Sequence, residues 1–159
     1  MNRAYVALGA NLGEACRTVR NALAALDGLP RTRLLAASSL YRTAPVGFPA
    51  QPDFINAVAA LDTALPPLDL LAALQAEEAA QGRRRSIPNA PRTLDLDLLL
   101  YADLVMRAPA LRLPHPRLHL RAFVLVPLAE IAPAGLDIPG RGTLSAWLPA
   151  VATQRVSRL

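Results

Sequence analysis

The chain has 159 residues, 53% of them apolar, which fits one domain with enough apolar mass for a core. It contains no 18-residue uncharged apolar run, so no membrane-spanning helix is expected, and Met1-Asn2-Arg3-Ala4-Tyr5-Val6 is too poor in apolar residues to open a signal peptide. The net charge is +5 and all 17 basic residues are Arg, which favours an anionic partner: nucleic acid, nucleotide or phosphate. With no polybasic tail, no low-complexity tract and 4% aromatic residues, a large nucleic acid is not favoured over a small phosphate. The single cysteine, Cys16, excludes an internal disulfide and fits a reducing compartment, so a cytoplasmic protein is expected.

Residues 4–9 read as a first strand, and Gly9-Ala10-Asn11-Leu12-Gly13 as a turn of residues that tolerate positive φ. A helix is expected over about 14–26, with Cys16, Val19, Leu23 and Leu26 at helical spacing and Gly28 as its stop. Cys16 is then a small core residue, since no partner base marks it as a nucleophile. Residues 33–43 are apolar and β-compatible and read as one strand. Residues 44–52 hold three Pro and one Gly and read as a long loop.

The chain resumes as a strand over 53–61, in which Phe54 and Asn56 share a face. An Asn in mid-strand is costly unless its amide is used. It could read the edge of a heterocycle or bond within the sheet. Pro66-Pro67 opens a helix to about Gln81, with Leu70, Leu71 and Leu74 inward, Gln75 and Glu78 on one side and Gly82 as the stop. Arg83-Arg84-Arg85 follows at once, where a solvated cap of the helix C-terminus accounts for at least one of the three. Residues 86–91 form a second Pro-rich loop. Composition marks 44–52 and 83–91 as the segments expected to move.

From Thr93 to Leu98 polar and apolar residues alternate, the mark of a strand with one face packed and one open. Leu94, Leu96 and Leu98 fall on the packed side, Asp95 and Asp97 on the other, with Cα atoms roughly 6–7 Å apart. Two like charges on one face repel unless a cation lies between them. A hard divalent ion, or two about 3.5–4 Å apart, would fit. A chance pair on a solvated strand face has the same spacing, and Asp-x-Asp alone does not separate the two. Beyond it, Asp103 turns the chain. Leu111 to Pro116 leads into a helical stretch, with His115 held between two prolines. Residues 121–131 read as a helix ended by Pro133, and a short helix over 144–151 packs around Trp147. The tail after it carries no signal.

Several pieces of this chain occur together in one family: Leu8-Gly9-Ala10-Asn11-Leu12-Gly13, Ser38 to Thr43, Gln51 to Ala57, Pro91 to Asp97, Pro114-His115-Pro116 and Arg121 to Leu128. In this order and spacing they resemble the 6-hydroxymethyl-7,8-dihydropterin pyrophosphokinases of folate biosynthesis. The resemblance implies an α+β fold, a ferredoxin-like antiparallel sheet flanked by helices on both faces, in agreement with the β-α-β-β-α-β order read above. It implies ATP as co-substrate and two Mg²⁺ ions held by Asp95 and Asp97. Phe54 and Phe123 match the aromatic pair that sandwiches the pterin. Asn56 matches the group on the pterin edge, with backbone groups at Thr43, Ala44 and Val46. Gln75, Arg83, Arg85, Arg92, His115 and Arg121 match ATP contacts, and Arg83 and Arg92 are assigned to catalysis as phosphate clamps. Flat heterocycles stack well between aromatic faces, and Arg forks suit phosphate oxygens.

The chain departs from the family pattern in places. Asn89 stands where many relatives have Trp, and the loop from Arg85 to Asn89 is one residue shorter than in some. The Arg that some relatives carry before the residue equivalent to Leu113 is not evident. The expected activity is transfer of the β,γ-pyrophosphoryl group of ATP to the pterin hydroxymethyl oxygen, by a monomer that binds neither nucleic acid nor membrane. Two other readings compete. A polymerase-like palm would need a third acidic ligand, and a ferredoxin-like RNA-binding module would need exposed aromatics on central strands.

Overall fold

The computed structural model describes residues 1–45, 50–81 and 93–159. Strand β1 (Asn2–Ala10) runs into helix α1 (Ala15–Asp27), strands β2 (Thr32–Ala37), β3 (Tyr41–Thr43) and β4 (Phe54–Thr63), helix α2 (Pro67–Ala80) and strand β5 (Asp95–Tyr101). Two short strands, β6 (Met106–Arg107) and β7 (Arg112–Leu113), form a hairpin before a 3₁₀ turn (Leu118–Leu120) and helix α3 (Ala122–Ile131). Strands β8 (Asp137–Ile138) and β9 (Gly142–Thr143), helix α4 (Leu144–Trp147), a second 3₁₀ turn (Pro149–Val151) and strand β10 (Ser157–Arg158) complete the chain.

The main sheet is antiparallel throughout, in the order β10-β3-β4-β1-β5, with β2 also on β4. Its faces follow from period two. Val6, Leu8, Ala57, Ala59, Leu61, Leu94, Leu96 and Leu98 join one core with Val19 and Leu26 of α1 and Leu70 and Leu74 of α2. Tyr5, Val58, Ala60 and Leu100 join a second core with Val124, Leu125 and Leu128 of α3 and Leu144 of α4. Each fully buried Leu contributes roughly 1.5–3 kcal/mol, so both faces carry substantial apolar packing. Helices therefore cover both faces of the sheet, as the α+β expectation requires.

Three parts of the main sheet differ from the sequence expectation. The single strand over 33–43 is two strands that share one edge of β4: β2 pairs with its far half and β3 with Phe54–Asn56. Ser38 fills the break, donating its N–H to the Val58 carbonyl (2.9 Å) and accepting the Val58 N–H on its own hydroxyl (2.9 Å). The face of β5 that carries the aspartates is not open along its length. Leu99 follows the aspartates on that face by period two, and a bulge opposite Tyr5 and Val6 of β1 brings Leu100 beside it; both join the α3 core, so only the Asp95–Asp97 end stays clear. The tail is part of the sheet: Ser157 and Arg158 pair with Arg42 and Tyr41 of β3.

Helix boundaries lie close to those read from the sequence. The helix expected over 144–151 breaks at Pro149, which lacks an N–H to continue it, into α4 and a 3₁₀ turn. Trp147 packs edge-on against His119, ring centroids 4.7 Å apart, and donates its indole N–H to the Arg141 carbonyl. Cys16 is half-buried at the margin of the first core.

Candidate active site

Where β1, β4 and β5 lie side by side, their register assembles a site from residues far apart in sequence. Gly9 pairs with Asn56 on one side and with Asp95 on the other. Ala7 pairs with Val58 and with Asp97. Paired residues of an antiparallel ladder point to the same face, so Asn56, Asp95 and Asp97 rise on either side of a strip made of glycine and alanine. The methyl of Ala7 and the bare Cα of Gly9 leave a hollow. A cavity of about 470 Å³ opens there, lined by Ala7, Gly9, Thr43, Ala44, Phe54, Asn56, Asp95, Asp97, Arg121 and Phe123, among others.

Gly9 is constrained by a close approach. A Cβ at this position would stand 3.0 Å from Asn56 Oδ1. Asn56 itself is buried, and its amide donates to Thr43 Oγ1 at 2.8 Å. Part of the amide's capacity is thus used inside the sheet, which fixes its orientation at the cavity wall. Of the two alternatives for Asn56, the bond within the sheet is present, and the side chain also lines the cavity.

The opposite wall comes from the start of α3. Arg121 is its N-cap, extended at φ −123° and ψ 115°. Its guanidinium carbon lies 5.4 Å from the Phe123 ring centroid, within cation–π range. Asp95 and Asp97 are both half-buried, and Leu96 between them is buried, with its N–H held by the carboxylate of Glu78 at 2.8 Å. Among the described residues, no group of three His, Cys, Asp or Glu side chains gathers as a metal site.

His115 lies beside this cavity rather than on its lining. Its N–H bonds the Leu99 carbonyl (2.9 Å), its carbonyl accepts from Arg141 (2.9 Å), and its Nδ1 accepts the Arg117 N–H (3.2 Å). Burial, reinforced by the positive charge of Arg121 and partly offset by Asp95, pushes its pKa down to about 4. The imidazole is therefore neutral near pH 7, and with Nδ1 accepting, its proton sits on Nε2. It can offer a hydrogen bond to an anion but not a charge.

Of the residues singled out in the sequence, Thr43, Ala44, Phe54, Asn56, Asp95, Asp97, Arg121 and Phe123 meet at one cavity. Gln75 is on the exposed side of α2 and does not line it, while Glu78, three residues on, is buried. Val46, Arg83, Arg85, Arg92, Asn89, the Gly82 stop and the motion expected of 83–91 lie outside the described residues. Ala7, Arg117, Leu120 and Gln154 also line the cavity and were not foreseen. Ala7 was legible in principle, since it shares a face with Gly9 two residues on. Gln154 carried no local signal.

Known proteins resemble this chain in sequence and in fold. The family model for 7,8-dihydro-6-hydroxymethylpterin-pyrophosphokinase matches residues 5–133. The chain is 49% identical to the 2-amino-4-hydroxy-6-hydroxymethyldihydropteridine pyrophosphokinase of Pseudomonas aeruginosa, over 100% of this chain and 98% of the relative. It is 41% identical to the enzyme of the same name from Haemophilus influenzae, over 100% and 99%. Its fold matches the solved Plasmodium falciparum HPPK-DHPS wild type with pteroate, with a TM-score of 0.72 at 13% identity, covering 94% of this chain and 42% of that one. A match over this span, joined to relatives of like length, means that the chain belongs to the 7,8-dihydro-6-hydroxymethylpterin pyrophosphokinase family.

Proposed function

We propose that the cavity over Ala7 and Gly9 is where this chain carries out the reaction of its family. That reaction is transfer of pyrophosphate from ATP to the hydroxymethyl group of 6-hydroxymethyl-7,8-dihydropterin, in folate biosynthesis. One observation carries the assignment: an aromatic pair, a fixed amide and two carboxylates line the same hollow. Phe54 and Phe123 receive the flat pterin ring by stacking. Asn56, oriented by Thr43, reads its edge, with backbone groups of Thr43, Ala44 and Val46.

Asp95 and Asp97 fit Mg²⁺. They supply oxygen donors only, side by side on one strand face, and leave the remaining ligand positions to water and phosphate oxygens, as this ion requires. When bound, two such ions supply charge neutralisation and orientation of the triphosphate. Arg121 and neutral His115 bind phosphate oxygens, and Gln75 and Arg85 add further contacts to ATP. Arg83 and Arg92 clamp the polyphosphate. Among the described residues, no side chain that lines the cavity is an evident general base for the hydroxyl, so the reading assigns the rate to positioning and electrostatics.

The protein acts as a single domain over residues 1–159, as a cytoplasmic monomer without nucleic acid. No helix among the described residues is long and apolar enough to cross a membrane. A thermal-shift panel tests the reading. The pterin together with MgATP should raise the melting temperature, whereas oligonucleotides should leave it unchanged. Stabilisation by oligonucleotides and none by the pterin would favour the RNA-binding alternative.

A further inference from the structure

The residue that connects the two helical pieces of the cavity wall is Arg121. It stands alone in extended conformation between the 3₁₀ turn Leu118–Leu120 and helix α3. At such a junction the chain leaves one helical piece and enters the next, so the two peptide units that flank Arg121 decide how the pieces meet. The Arg121 carbonyl is already used, accepting the N–H groups of Val124 (3.1 Å) and Leu125 (2.9 Å). The N-cap side chain makes no capping bond, so the first amide of α3 must find its acceptor elsewhere.

It finds it in the tail. Gln154 Oε1 accepts the Ala122 N–H at 2.8 Å, and Gln154 Nε2 donates to the Leu120 carbonyl at 3.0 Å. One side-chain amide thereby holds both peptide planes around the Arg121 Cα, the one before it and the one after it. Its own backbone is anchored: the Gln154 N–H bonds the Val151 carbonyl at 3.0 Å, and Val151 is buried in the second core. Three residues on, Ser157 and Arg158 pair with β3, the strand that ends at Thr43. The same tail thus ties the α3 wall of the cavity to the β3 wall.

We propose that Gln154 is a positioning residue for the reaction. By bridging Leu120 and Ala122 it fixes Arg121 and Phe123 against the ligands. This rests on the function assigned to the cavity above. The matching family region ends at residue 133, so the proposed role lies outside the matched segment. Gln154 is exposed and borders the cavity, and each end of its amide is bonded to backbone, so the proposed effect runs through the backbone it holds.

Two variants test this. Gln154→Met removes both hydrogen bonds at nearly constant size, and Gln154→Glu keeps the acceptor for the Ala122 amide. Residue-resolved hydrogen exchange on the ligand-free protein reads the clamp without reference to any substrate. Calorimetry with the pterin, in the presence of Mg²⁺ and a non-hydrolysable ATP analogue, reads its consequence. In Gln154→Met the Ala122 amide should exchange about tenfold faster. The pterin dissociation constant should rise roughly three- to tenfold, the scale of one hydrogen bond lost from a binding wall. Gln154→Glu should keep the protection and lie nearer to wild type in affinity. Unchanged exchange in Gln154→Met would overturn the clamp. Faster exchange with unchanged pterin affinity would reduce Gln154 to a local cap and overturn the positioning role. A wild type that fails to bind the pterin at all would instead contradict the function assigned to the cavity, and the exchange data would still report on the clamp.

Discussion

Gly9 shows how narrowly the site is defined at the scale of a residue. In the sequence it reads as the end of the first strand and the start of a turn, and the structure places it inside β1, where its lack of a side chain makes room for Asn56. Gly9→Ala puts a Cβ at 3.0 Å from Asn56 Oδ1, tighter than ordinary van der Waals contact, and Thr43 restrains the amide from the other side. The substitution should cost about 1–3 kcal/mol by overpacking and weaken pterin binding more than ATP binding. Equal weakening of both ligands in calorimetry would show that the amide does not face the pterin.

His115 offers a second test at the same scale. Its folded pKa, about 4, lies below the ordinary value of 6.5, because burial and the Arg121 charge oppose protonation. The unfolded chain therefore binds the proton first, and stability falls as the pH drops from about 6.5 towards 4. Above that window the group contributes no slope. In metal-free buffer, His115→Gln should lose this part of the pH dependence in urea melts. A variant with the wild-type slope would mean that the imidazole does not titrate as a buried neutral group.

Among the elements, the strands that follow the period-two pattern were the most legible. β5 was readable because Leu94, Leu96 and Leu98 alternate with acids, and β4 because it is long and apolar. The interruption between β2 and β3 was not readable, since residues 33–43 are β-compatible from end to end. What divides them is one hydroxyl: Ser38 replaces a ladder bond with its side chain. Ser38→Ala leaves the buried Val58 N–H without that acceptor and should cost roughly 1–3 kcal/mol, measurable by denaturant melting at unchanged m-value. A cost near zero would mean that the β2–β3 break is held by something else.

At the other end of α3, Glu130 accepts hydrogen bonds from the Ser39 N–H and hydroxyl and from the Tyr41 hydroxyl, the last at 2.6 Å. Burial pushes the Glu130 carboxyl up, but these bonds and the Arg158 charge outweigh it and hold it below its usual range. Burial, with the Glu130 contact, pushes the Tyr41 hydroxyl up to about 12. Both groups keep their ordinary charge states near pH 7, and the bond locks α3 to β3. Nothing in the local pattern of either segment announces a contact 89 residues apart.

On the scale of the whole molecule, the site belongs to no single element. β1 supplies the small floor, β4 and β5 the amide and the acids, α3 the aromatic and the cation, and the tail the clamp on α3. The family motifs made most of these residues nameable before their arrangement was known. Among the missed contributions, Ala7 acts through the smallness of its side chain, which period two could have placed beside Gly9, and Gln154 acts through hydrogen bonds to backbone, which leave no distinctive residue pattern. Under the proposed function, one cavity has a pterin end at Phe123 and a metal–phosphate end at Asp97. A crossed comparison of Phe123→Ala and Asp97→Ala tests it most directly, with calorimetry for each ligand and single-turnover kinetics for the chemistry. Phe123→Ala should weaken pterin binding by roughly 1–3 kcal/mol, taking base–aromatic stacking as the guide, with ATP affinity far less affected. Asp97→Ala should lower turnover with Mg²⁺ by about a hundredfold or more while the fold is retained, since removing one carboxylate relieves repulsion in the metal-free protein. Equal loss of both ligands in Phe123→Ala, or near wild-type turnover in Asp97→Ala, would contradict the account.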